Sequence, residues 1–143
     1  LLDQMLNEGH RLSAFATDDA HFKTPDYFGG WVQVKADSLD PGILLAALKQ
    51  GHYYSSQGPQ IHDISIVGSE ISITCSPIDN ITVLCGNSRS VVRNAKSITE
   101  ASFDLKKLET GWLLTKLSPW FRVVCIDHAG KKAWSNPIWK DEL

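Results

Sequence analysis

Glu70-Ile71-Ser72-Ile73-Thr74-Cys75, a Ser76-Pro77 interruption, and then Ile81-Thr82-Val83-Leu84-Cys85 form the stretch that decides the fold. Apolar and polar residues alternate in both runs. In an extended chain successive side chains point to opposite faces, so Ile71, Ile73 and Cys75 share one face and Ile81, Val83 and Cys85 another. Phe121, Val123 and Cys125 repeat the pattern, and the three sets are expected to fill most of a core.

Working outward, short runs of the same kind cover residues 61–66, 97–105, 112–117, 120–127 and 132–135. Turn residues stand between them at Gly68-Ser69, Ser76-Pro77, Gly86-Asn87, Thr110-Gly111, Ser118-Pro119 and His128-Ala129-Gly130. Seven short strands at a spacing of roughly 8–12 residues predict an immunoglobulin-like β-sandwich over residues 57–143.

The character of the chain changes near residue 55. Leu1, Leu2, Met5 and Leu6 fall at helical spacing with Gly9 as a stop, and an extended run over 12–17 leads into an acidic turn, Asp18-Asp19-Ala20-His21. After a loop holding Pro25 and Gly29-Gly30, residues 31–35 read as a half-buried strand. A second helix has Asp40 as its N-terminal cap, Pro41 at its first position, an apolar stripe of Ile43, Leu44, Ala47 and Leu48, and Gly51 as its C-terminal cap. The expected whole is mainly β: a short α/β segment over residues 1–56, then the sandwich.

Charge and composition exclude several classes. Fourteen Lys and Arg stand against sixteen Asp and Glu, and the cations are scattered in pairs such as Lys106-Lys107 and Lys131-Lys132. No phosphate-neutralising stripe forms, so nucleic acid is not an expected partner. Hydrophobic residues make up 43% and charged residues 21%, which argues against disorder. No apolar run approaches the ~18–20 residues that cross a bilayer, so no membrane partner is expected. With 143 residues the chain is too short for a complete large barrel, which takes roughly 200, and its start, Leu1-Leu2-Asp3-Gln4, has neither an initiator Met nor a basic leader. A fragment or a processed chain is the expectation. Cys75, Cys85 and Cys125 contain no Cys-x-x-Cys pair and read as small buried hydrophobes in a reducing, cytoplasmic compartment. The final Lys140-Asp141-Glu142-Leu143 has the form of an ER-retention tail and Asn80-Ile81-Thr82 that of a glycosylation sequon. Both act only after entry to a secretory pathway, for which the sequence shows no signal, and the cytoplasmic reading stands.

One constellation has a clear chemical reading. At an extended strand end, residues two apart point to the same side, so the Asp19 carboxylate and the His21 imidazole in Thr17-Asp18-Asp19-Ala20-His21 can converge on one metal or on neighbouring metals. Asp18 then points the opposite way. His10 reads as a helix-end residue, and His62-Asp63 and Asp127-His128 are adjacent pairs whose members face opposite sides of a strand. Ser55, Ser56 and Gly58 read as a polar turn or connection, and the tryptophans mostly as core or interface.

The stretch from Gly9-His10-Arg11-Leu12-Ser13 to Thr17-Asp18-Asp19-Ala20-His21-Phe22 resembles the last metal-binding motif of the PHP (polymerase and histidinol phosphatase) metallohydrolases, in which an Asp-x-His pair closes a cluster of ligands. Gly30-Trp31-Val32-Gln33-Val34-Lys35-Ala36, residues 43–48, and Gly51-His52-Tyr53-Tyr54-Ser55-Ser56-Gln57-Gly58-Pro59 are similar to the region after that motif in a carbaryl-hydrolase-like branch that includes carbamate and ester hydrolases. Residues 121–138 resemble the end of the β-sandwich carried after that catalytic domain. The resemblance implies that Asp19 and His21 are ligands to a divalent metal (zinc, manganese or iron) in a complete enzyme acting on a small-molecule phosphate ester or a related ester or carbamate. It also implies a His-x-His near the start of a seven-stranded barrel. Here the histidines are 10, 21, 52, 62 and 128, and no two are two residues apart. The chain therefore reads as the C-terminal part of such an enzyme, the remnant of the barrel over 1–56 plus the sandwich, inactive alone and without catalytic residues of its own. Strand edges and helix faces left open by a partial barrel make a homodimer one way to cover residues 1–56. The alternative is a non-catalytic β-sandwich that binds a partner or a sugar.

Overall fold

The computed structural model describes residues 1–86, 89–109 and 118–143. The fold is mainly β, with all strand pairing antiparallel. In chain order the elements are α1 (Leu2–Asn7), β1 (Trp31–Val34), α2 (Pro41–Lys49), β2 (Tyr53–Ser56), β3 (Ile61–Val67), β4 (Glu70–Cys85), β5 (Arg89–Asp104), α3 (Lys106–Glu109), β6 (Trp120–Ile126), β7 (Lys132–Ser135) and β8 (Ile138–Trp139). A 3-10 turn over Lys140–Glu142 comes last.

The strands form one curled sheet in the order β1-β2-β7-β6-β4-β3, with β5 also on β4 and β8 also on β6. β4 organises it. The first half of β4 pairs with β3 (Ile73 opposite Ile64) and the second half with β6 (Val83 opposite Val123), while β5 runs along both halves. The β4–β5 ladder slips between Thr74 and Ile78 and again between Ile78 and Asn80, and such bulges bend a strand and raise its twist. The bend turns the inner faces of both halves toward each other. All nine residues of the three alternating sets are buried in one core, which Ile61, Ile78, Ile98, Ala101, Leu105 and Ala133 complete.

Ser76-Pro77 is therefore not a turn. Proline has no N–H to give a ladder and is tolerated at a bulge, where the ladder is already broken. Ser76 exchanges its backbone N–H and hydroxyl with Gln60 instead, at 2.9 Å each. Two expected strands are thus one, and the expected strand over 97–105 is the second half of β5, which kinks at Ser97 (φ 54). The expected strand over 112–117 lies outside the described residues. β2 and β8 are strands the alternation did not mark, and the run over 12–17 pairs with no strand among the described residues. No helix among the described residues is long and apolar enough to cross a membrane.

Both predicted helices form. Asp40 accepts the N–H groups of Gly42 at 2.9 Å and Ile43 at 3.0 Å. Gly9 (φ 91) and Gly51 (φ 76) end the helices: His10 N–H donates to Met5 O and His52 N–H to Ala47 O, a closure that needs the left-handed conformation glycine adopts without penalty. Leu6 of α1 is fully buried against Trp120 and Trp139, a small second core outside the main one.

Candidate functional site

Residues 10–30 carry the side chains singled out from the sequence, and their position is set by a strap laid across β2 and β7. Arg11 lies 4.6 Å from the centre of the Trp139 ring and pairs with Asp141 and Glu142. Ala14 N–H donates to Asn136 Oδ1 at 3.3 Å. The buried Ser55 hydroxyl accepts from Ala16 N–H at 3.0 Å and donates to Ala14 O at 3.1 Å, taking the place of a strand partner. Phe15 stacks on Tyr53 with ring centres 4.6 Å apart.

Beyond the strap the chain makes a loop over residues 18–28. Its ends are neighbours: a Cβ on Gly29 would meet the Asp18 Cβ at 3.9 Å, and one on Gly30 the Thr17 carbonyl at 3.6 Å. Asp26 closes the interior, its carboxylate accepting from His21 N–H at 3.0 Å and Phe22 N–H at 3.2 Å. Of the four non-glycine residues with positive φ among the described residues, Asp19 (53°), Phe22 (57°) and Phe28 (59°) fall in this loop. Aspartate tolerates the left-handed region, but a bulky aromatic there is strained, so the surroundings must impose it. Phe22, Tyr27 and Phe28 pack on one another, at 5.8 and 5.5 Å between centres, yet Phe22 and Phe28 remain 79% and 80% exposed.

Asp19 and His21 both lie exposed in this loop. They would share a side on extended backbone, and the positive φ at Asp19 removes that condition. His21 leans instead toward Asp26, with Nδ1 at 4.0 Å from Oδ2, and its side chain is 64% exposed. No group of three or more His, Cys, Asp or Glu placed to hold a metal occurs among the described residues. Two side chains fall short of the three or four protein ligands of a catalytic zinc-type site, so these residues alone do not fit a metal. Asp26 was missed in the sequence. Its only signal is an Asx acceptor a few residues after the backbone donors it serves.

The other candidates have structural tasks. Asp127 accepts from Ala129 and Lys131 N–H, both at 2.9 Å, and shapes the β6–β7 turn. Ser56, read as part of a polar turn, is buried in β2, donating to Pro59 O at 2.7 Å and accepting from Gly58 N–H at 2.9 Å. His10 is exposed, 3.8 Å from Glu8. His62 and Asp63 lie on β3 across a slip in the β3–β4 ladder and border an open cleft of about 570 Å³ with His52 and Tyr54, where burial pushes the Tyr54 hydroxyl pKa up. A second cleft, about 310 Å³, lies under the strap between Phe15, Trp134 and Arg122. Arg122 is forked onto Asp3 at 2.8 and 2.9 Å, and that hydrogen-bonded pair holds the Asp3 carboxyl below its usual pKa. Neither Asp19 nor His21 lines these two clefts. Asn80 of the sequon sits mid-sheet between Asn94 and Ile126, its amide donating to Asn94 Oδ1 at 2.6 Å.

Comparisons with family models, curated proteins and solved structures return no match for the chain.

Proposed function

We propose that this chain is the C-terminal portion of a PHP-type metal-dependent hydrolase of a cytoplasmic small-molecule phosphate ester, or of a related ester or carbamate. In this reading Asp19 and His21 supply two ligands of a divalent zinc, manganese or iron centre, and the rest of the polypeptide supplies the others. The curled sheet is then the accessory immunoglobulin-like sandwich, a reading supported by the two halves of β4 facing each other across one core.

One observation carries the proposal: the incomplete ligand pair lies on a strained, tightly closed loop within a segment rich in uncovered apolar side chains. Nine of the twelve large exposed apolar residues among those described, from Leu1 to Leu45, fall in the first 45 residues. Among them Phe22, Tyr27 and Phe28 pack into one exposed aromatic cluster on the loop itself. β1 stands at the end of the strand order, with β2 as its one partner among the described residues, so its outer edge is open to a further strand. A barrel body would cover both features, and a homodimer is the substitute where that body is missing.

The test is the metal content of the whole encoded polypeptide, by mass spectrometry of bound zinc, manganese and iron, for wild type, Asp19→Ala and His21→Ala. The expected result is an upstream His-x-His and loss of bound metal in both variants. A reading frame with no such segment, together with metal content indifferent to both substitutions, rejects the proposal. The binding-module reading has the exposed Phe22, Tyr27 and Phe28 in its favour, since aromatic faces stack on sugars and partner side chains. It requires Phe22→Ala and Phe28→Ala to abolish retention on an immobilised oligosaccharide while Asp19→Ala leaves it intact.

A further inference from the structure

The outer face of the sheet holds a cleft that the proposed metal chemistry does not use. Arg122 stands between the core residues Phe121 and Val123 on β6, and Trp134 follows the core residue Ala133 on β7, so alternation turns both side chains away from the core. Ser55 of β2 lies opposite Trp134 and gives its hydroxyl to the strap. Over this face lie α1 and the strap, and the cleft of about 310 Å³ is bounded by Leu2 from the first and Phe15 from the second, with Trp134 and Arg122 also in its lining. Its polar side chains are nearly all engaged. Ser55 bonds Ala14 and Ala16, Ser135 accepts from Val123 N–H at 2.8 Å and donates to Asn136 O at 2.9 Å, and the Asn136 amide donates to Gly51 O at 3.1 Å and Tyr53 O at 3.0 Å. Arg122 is the exception. Its Nε and Nη2 fork onto Asp3, while Nη1 has no hydrogen-bond partner among the described residues, and the side chain is only 13% exposed.

We propose that this cleft binds a small neutral aromatic carbonyl compound, one ring carrying an amide or ketone oxygen, with the ring between Phe15 and Trp134 and the oxygen accepting from Arg122 Nη1. Three features select that chemistry. Phe15, Trp134 and Leu2 offer apolar surface suited to the face of a ring. A volume of about 310 Å³ stands at the lower end of the ~300–1,000 Å³ of ligand clefts, which limits the occupant to a small molecule. Charge decides the polar end. Arg122 is the one charged side chain in the lining among the described residues, and the Asp3 carboxylate already neutralises it. A carboxylate ligand would meet Asp3 as a like charge, whereas a neutral carbonyl takes the idle Nη1 donor without that repulsion. Because Arg122 is largely withdrawn from water, a donor left unpaired there costs more than one at an open surface, and an acceptor delivered to it gains accordingly. Neither Asp19 nor His21 borders the cleft, so this site stands independently of the metal reading.

The experiment titrates the full isotope-labelled chain with benzamide and, in parallel, with benzoate at pH 7, and follows the backbone amide signals by NMR. Benzamide is expected to saturate with a Kd of about 1 mM, with shifts centred on the strap residues 14–16 and on residues 134–136, and benzoate to bind roughly tenfold more weakly. Asp3→Asn removes the counter-charge from Arg122, and the order of the two probes is expected to reverse. Arg122→Met removes the donor and is expected to weaken benzamide about tenfold. No saturation by about 10 mM benzamide, shifts confined to the exposed aromatics at residues 22–28, benzoate bound as tightly as benzamide by the wild type, or an unchanged order in Asp3→Asn overturns the proposal. The two probes on wild type and Asp3→Asn decide it even where Arg122→Met does not fold.

Discussion

Leu6→Ala tests whether α1 is part of the folded unit or an appended turn. Leu6 has no exposed surface and packs on Trp120 and Trp139 with Leu2 beside it. Truncation removes three buried carbons, about 2.4 kcal/mol at ~0.8 kcal/mol per methylene, and leaves a cavity that adds to the cost. Two features pull the other way. α1 is only six residues long and can settle into the gap, and Trp120 Nε1, buried without a hydrogen-bond partner among the described residues, would gain one worth ~1 kcal/mol from water entering it. The expected net loss is about 2.5 kcal/mol, or roughly 8 °C in midpoint at ~2–4 °C per kcal/mol for a chain of this size. Urea unfolding followed by tryptophan fluorescence reads it directly, since two reporters flank the site. The exposed neighbour Gln4→Ala should stay within about 0.5 kcal/mol of wild type. A loss below about 1 kcal/mol for Leu6→Ala, with an unchanged urea slope, would mean that α1 does not dock.

Three further outcomes rest on single contacts. Asp40→Ala removes a carboxylate that accepts two N–H groups at the start of α2 and should cost about 1 kcal/mol in urea unfolding. Asp26→Ala unlatches the 18–28 loop by freeing two N–H groups, and proteolytic nicking there should accelerate about fivefold, the equivalent of ~1 kcal/mol in opening. Asp3 has its pKa lowered in the folded protein by the Arg122 hydrogen bond, so its contribution is complete above the unfolded value of ~3.9 and is lost as pH falls through the folded value. Asp3→Asn should therefore lower stability by about 0.5–1 kcal/mol at pH 7, discounted because the carboxylate is 45% exposed, and the gap to wild type should vanish in acid.

The core was legible in the sequence because alternation is a local signal that burial on one face enforces. Ile71, Ile73, Cys75, Ile81, Val83, Cys85, Phe121, Val123 and Cys125 needed only the two-residue period to be placed inside. Where one strand stops and the next begins was less legible. Ser76-Pro77 carries turn chemistry, yet the chain spends it on a bulge, and the choice depends on β5 and Gln60 lying alongside, which no local pattern encodes. β2 escaped for a related reason. Tyr53-Tyr54-Ser55-Ser56 shows no apolar alternation because its hydroxyls serve the strap on one face and the Pro59 carbonyl on the other. The helix ends, by contrast, rest on single residues whose geometry is their own, and Asp40, Gly9 and Gly51 do what their side chains or lack of them dictate.

The loop around Asp19 and His21 shows where periodicity stops being informative. Two residues apart means one face only while φ and ψ stay extended, and the chain leaves that region at Asp19 and again at Phe22. Nothing in Asp-Asp-Ala-His-Phe announces the departure, since the residues that force it are Asp26, which gathers two backbone donors, and the paired approach of Asp18 and Thr17 to Gly29 and Gly30. The loop spends backbone strain on an exposed surface, where burial returns none of it, while Phe22 and Phe28 stay in water. On the proposed reading the body that completes the ligand set covers this loop, on the binding-module reading a partner covers the aromatic faces, and the two differ in whether Asp19 or Phe28 is the residue that cannot be lost.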